Sequence, residues 1–148
     1  MDRELREFVD LIMDRRVIND EDVKMLQRSI LSDAVLTRDT IDILVALERA
    51  VLQSCQSYAD YLVAFVLDFA VWESRPTGII DRDKAHWLVT TLSAGEGPTA
   101  TARRIAFEIA REAEHCDEVL LAFAFAKGAA KEVVRGAAGR TTRALLAN

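Results

Sequence analysis

TGIIDRDKAHWL, residues 77–88, decides how the chain is read. Its glycine is followed by two branched apolar residues, a polar residue suited to capping, an acid, and the start of a helical run. The same apolar–polar–acid order returns in VINDEDVKML (17–26) and VLTRDTIDIL (35–44). Asn19, Thr37 and Asp81 each stand where a side chain accepts a first-turn N–H as an N-cap. Glu21, Asp39 and Asp83 follow two positions later, where the positive end of the helix dipole favours a carboxylate. Ile18 with Val23, Leu36 with Ile41, and Ile80 with Ala85 supply the apolar pair of a hydrophobic staple. The repeat therefore marks three helix entries and requires no ligand. The third entry places His86 and Trp87 near the start of a helix.

Working outward, the periodicity is helical throughout. Leu5, Phe8, Val9, Ile12 and Met13 form one stripe at i, i+3, i+4, i+7 and i+8. A second helix is expected over about 20–31, with Val23, Leu26 and Ile30 inward. A third is expected over about 38–54, with Ile41, Leu44, Val45, Val51 and Leu52 on one face. The fourth, about 58–73, is apolar nearly all round, as a helix covered on several sides would be. The fifth covers about 82–92. Gly95, Gly97 and Pro98 then break the chain before a sixth over about 99–114. A seventh begins near Asp117 and is expected to continue through Gly128 to about Arg135. No segment alternates like a strand.

The composition is that of a globular chain: 148 residues, 51% hydrophobic and 29% charged, long enough to bury a core without a metal or disulfide staple. One domain over 1–148 is expected, with 136–148 as a flexible or partner-docking tail. The net charge of −5 is uneven. Residues 127–148 carry +4, so the remainder carries −9, which argues against a nucleic-acid-binding face. Cys55 and Cys116 are far apart and form no CxxC, so nothing implies an oxidising compartment. The charged start MDRELREFVD reads as no secretory signal. The most apolar run, 58–72, is short for a membrane span and holds Asp60 and Asp68. A cytoplasmic location is expected.

GIIDRDK (78–84) resembles the end of an EF-hand loop in its backbone pattern. Lys84 stands where the bidentate glutamate of such a loop is found, and Glu73, Arg75 and Thr77 occupy the first ligand positions. The resemblance thus implies EF-hand-like helix pairs without functional calcium loops. SILSDAVLTRDTIDIL (29–44) resembles the TerB-like tellurite-resistance pattern, with Ala34 in place of its glycine. DFAVWESRPTGIIDRDKAHWLVTTLSAGEGPTATA (68–102) with DEVLLAFAFA (117–126) resembles uncharacterised bacterial all-helical proteins related to both. Spanning 17–126, the resemblance implies an all-α fold of about seven helices packed in pairs, and for the TerB-like group binding of a divalent metal through acidic residues.

Candidate chemistry is sparse. Glu48 and Asp68 fall on apolar faces and are expected to be buried, where a carboxylate requires partners. Glu112-x-x-His115 and Asp83-x-x-His86 have the spacing of di-iron carboxylate bundles, because i and i+3 share a helix face. Cys55, His86, His115 and Cys116 are the residue types of a zinc site without its spacing. The metal-ligand candidates are Asp33, Asp39, Asp68, Asp81, Asp83, Glu112 and His115. Lys127, Lys131 and Arg135 recur at i+4 as a basic stripe, a candidate partner-binding surface. No nucleophile elbow or phosphate loop is present. The leading reading is a non-catalytic cytoplasmic interaction module without a cofactor, partnered by a second copy or another protein. The alternatives are a TerB-like metal-binding or metal-stress protein and, behind it, a di-iron carboxylate protein.

Overall fold

The structure, a computed structural model, describes residues 2–32 and 36–126. Among these the fold is all-α, with seven α-helices. The order is α1 (Arg3–Arg15), β1 (Val17–Ile18), α2 (Asp20–Met25), α3 (Arg38–Ala50), β2 (Gln53–Ser54), α4 (Gln56–Leu67), β3 (Ile79–Ile80), α5 (Arg82–Ser93), α6 (Ala100–Glu112), β4 (His115–Cys116) and α7 (Glu118–Ala124). Two helices run on as wider π-type turns, α2 through Leu26–Ile30 and α4 through Asp68–Glu73. No helix among the described residues is long and apolar enough to cross a membrane.

The helix entries form as the capping pattern predicts. Asn19 accepts from the Asp22 N–H, and Asp22 returns the bond to the Asn19 N–H at 2.8 Å, completing a capping box. Thr37 accepts from Thr40 N–H and Asp81 from Lys84 N–H. Thr99 and Asp117 cap α6 and α7 in the same way.

The two halves of the chain follow one plan. β1 pairs in parallel with β2, Val17 opposite Gln53 and Ile18 opposite Ser54. β3 pairs in parallel with β4, Ile79 opposite His115 and Ile80 opposite Cys116, each 62 positions after its counterpart. The flanking main-chain bonds repeat as well. Leu52 and Cys55 N–H donate to the carbonyls of Arg16 and Ile18; Glu114 and Asp117 N–H donate to those of Gly78 and Ile80. Arg16 and Gly78 both take a left-handed conformation, with φ of 62° and 79°. At Gly78 an added Cβ would lie 3.1 Å from the carboxyl carbon of the exposed Glu114 side chain, which would have to move aside, so glycine is favoured there chiefly by its φ. α3 and α6 have 13 residues each and start after a threonine. The halves pack through α3 against α5 and α4 against α6.

The core joins both halves. It includes Leu5, Phe8 and Ile12 of α1, Val23 and Leu26 beside them, Ile41, Leu44 and Val45 of α3, and Leu88, Leu92, Ile105 and Ile109 of the second half. Tyr58, fully buried, donates its hydroxyl to the Leu44 carbonyl at 2.7 Å. Four expectations need correction. The third helix stops at Ala50, because the chain turns there into the β1–β2 bridge; Leu52 is consequently 85% exposed rather than inward. Met13 lies at the margin of the α1 stripe and is exposed. Asp68 is exposed, because it shares the less buried face of Tyr61, Phe65 and Trp72 and not the face that Tyr58, Leu62 and Val66 bury. The seventh helix, expected to run on to about Arg135, stops at Ala124 with Phe125 as its cap; residues 127–148, with the expected 136–148 tail, lie outside the described residues.

Candidate functional site

The corner between α4 and α5 answers whether TGIIDRDKAHWL binds an ion. Lys84 is in the first turn of α5 and only 1% exposed. Its Nζ donates to the main-chain carbonyls of Ala70 at 2.7 Å and of Ser74, Pro76 and Ile79 at 2.8 Å each. The end of a helix leaves carbonyls without an intrahelical partner. The π-type turn aims Ala70 inward, and the loop from Ser74 to Ile79 wraps the remaining carbonyls round the same point. A lysine ammonium thus sits where a loop cation would be expected. Burial lowers the Lys84 pKa from its ordinary range; Asp81 opposes this and Arg38 adds to it.

The equivalent position in the first half is Asp22, also buried. Its carboxylate accepts from Arg15 Nη2, which also reaches the Val17 carbonyl at 3.4 Å. One corner is closed by an ion pair and the other by an ammonium among carbonyls.

The remaining candidates are scattered. Asp81 is engaged as the α5 cap. Asp83 is exposed and pairs with Arg38 at 2.7 Å. Arg38 also lies 4.9 Å over the Trp87 ring, whose Nε1 donates to Asp42 at 2.8 Å. His86, Asp39, Asp68, Glu112 and His115 are exposed. Glu112 ends α6 while His115 lies in β4, so the i,i+3 helical face assumed for a di-iron motif is broken there. Cys55 stands at the N-cap position of α4 without a side-chain capping bond, and Cys116 lies in β4 of the second half, with its thiol pKa raised by burial and by Asp117. No three His, Cys, Asp or Glu side chains among the described residues stand together as a metal site. Asp33, Lys127, Lys131 and Arg135 lie outside the described residues. Glu48 is half-buried and accepts from Thr99 Oγ1 at 2.7 Å, tying α3 to the start of α6.

The sequence offers Phe123 and Phe125 as an apolar face of the last helix that could dock on a second copy, but gives no sign that Phe107 joins Phe125. Phe107 of α6 and Phe125 just after α7 are 40% and 56% exposed, and their rings meet edge-on with centroids 5.5 Å apart. Leu121, also exposed, lies on the same helix. The residues 62 positions earlier, Val45 and Val63, are 2% and 6% exposed, on the helices that receive the second half. Lining the chain up with itself at that offset would have exposed the substitution of aromatic residues for core valines.

No protein-family model, curated protein or solved structure matches the chain.

Proposed function

We propose that the chain is a non-catalytic helical interaction module that pairs with a second copy of itself through the α6–α7 end. The observation that carries this reading is the exposure of Phe107 and Phe125 at positions that are core in the first half. In the first half, the α3–α4 face bearing Val45 and Val63 is covered by α5 and α6; the corresponding face of the second half has no following unit among the described residues. Exposed apolar surface of this kind marks interaction sites. The large apolar side chains that the first half exposes among the described residues are single aliphatic ones, Leu11, Met13, Met25 and Leu52, with no aromatic contact among them. The paired rings of Phe107 and Phe125 are suited to their own like about a two-fold axis.

Light scattering coupled to size exclusion on the full chain tests this. The expected result is a dimer that dissociates on dilution through the micromolar range and becomes monomeric in the Phe107→Glu/Phe125→Glu double variant with its helix content unchanged. A monomer at every concentration overturns self-pairing, as does a double variant that remains dimeric.

A further inference from the structure

We propose that the corner from Ala70 to Ile79 is a carbonyl-lined cation site of which Lys84 is the tethered occupant, and that without the tether it takes a monovalent primary ammonium or a potassium ion. Four carbonyl oxygens stand 2.7–2.8 Å from one nitrogen. A lysine ammonium has only three hydrogens. One-to-one hydrogen bonding cannot account for all four contacts; the oxygens converge on a compact positive charge, as carbonyls do where they replace the hydration shell of potassium.

The fold does not demand this arrangement. The first half closes the same corner with Asp22 and Arg15, so the carbonyl cage is a property of residues 70–84. The chemistry of the donors sets the ligand class. These four ligands are neutral, whereas calcium sites draw on several carboxylates, and magnesium retains water and adds carboxylates. Asp81 adds a carboxylate close by, but its Oδ1 is occupied by the Lys84 N–H at 2.9 Å. A singly charged ion matches that balance; a divalent ion would remain under-neutralised in a buried site.

Lys84→Ala removes the three methylenes and the ammonium that n-propylammonium supplies. Thermal melts of this variant are compared in n-propylammonium, ammonium, potassium and tetramethylammonium chlorides at matched ionic strength. The variant is expected to melt roughly 5–10 °C below the parent chain in tetramethylammonium, the scale of a few buried polar groups left unsatisfied. Propylammonium should restore much of that loss saturably, ammonium and potassium part of it, and none should shift the parent chain. Lys84→Met, which refills the channel without charge, should stay low in every salt. A propylammonium effect no larger than that of tetramethylammonium overturns the proposal, as does a Lys84→Met variant that melts with the parent. If Lys84→Ala is unfolded in buffer, refolding from urea is followed by circular dichroism in the same salts. Recovery confined to the ammonium and potassium arms supports the site, and equal failure in all of them overturns it.

Discussion

Lys84 and Asp22 hold the same position in the two halves, are both buried, and carry opposite charges. Each is the third residue after its helix cap, and each closes the corner that precedes its helix. Arg15, the partner of Asp22, is 40% exposed, so that ion pair contributes at most about 1 kcal/mol. Asp22→Ala should therefore cost about 1–2 kcal/mol, mostly through the capping box. Lys84→Met should cost more, about 2–4 kcal/mol, because the buried Ala70 carbonyl and three part-buried ones lose the donor they share. Urea denaturation of the two variants checks the order; equal losses would refute it.

A second pair of matched positions separates core from surface. Val63→Ala should cost about 2 kcal/mol through lost burial and a residual cavity. Phe125→Ala, though it removes more atoms, should change monomer stability by less than about 0.5 kcal/mol, as exposed substitutions do. Measuring both at a concentration where the chain is monomeric keeps pairing out of the comparison.

Asp68 provides a direct check on which face of α4 meets solvent. Since the side chain is exposed, Asp68→Ala should leave the urea midpoint within about 0.5 kcal/mol of the parent. A loss of about 1–3 kcal/mol, the cost of stranding buried donors, would restore the inward placement expected from the apolar run around it.

Alkaline pH should unfold the chain through its tyrosines. Burial pushes Tyr61 up from 10.0 to about 12 and raises Tyr58 further, with Glu48 contributing at Tyr58. Both folded values exceed the unfolded value of 10.0, so the folded state holds the proton more tightly. Their stabilisation is complete below pH 10 and for Tyr61 is lost as the pH rises through about 12. The melting temperature should fall over that interval, and less so in Tyr61→Phe.

The local punctuation of the chain was readable because it rests on short-range chemistry. Asn19, Thr37 and Asp81 are caps in sequence and in structure. The larger plan was harder to see. The three entry segments look like one class, yet 17–26 corresponds to 79–88, while 35–44 corresponds to GPTATARRIA at 97–106, whose pattern has drifted. Two-residue bridges are too short to leave an alternating signature, so Leu52 was assigned to a helix that had already ended. Lysine is among the residues least often fully buried, and nothing local to Lys84 indicates that loop carbonyls ten residues earlier in the chain will surround it. Of the candidate metal ligands, the structure engages Asp81 and Asp83 in a cap and a surface ion pair.

The helix α4 with its π-type extension has a mechanical consequence. Its start follows the first bridge, and its end, at the positions that correspond to residues 3–11 of α1, leads into the second. Among the described residues two four-helix units therefore need only seven helices, and no linker separates them. One unit cannot swing against the other without bending a continuous helix, and neither can be excised without cutting through it. A load applied at Phe107 and Phe125 would reach the first half through α4, the element that both halves share.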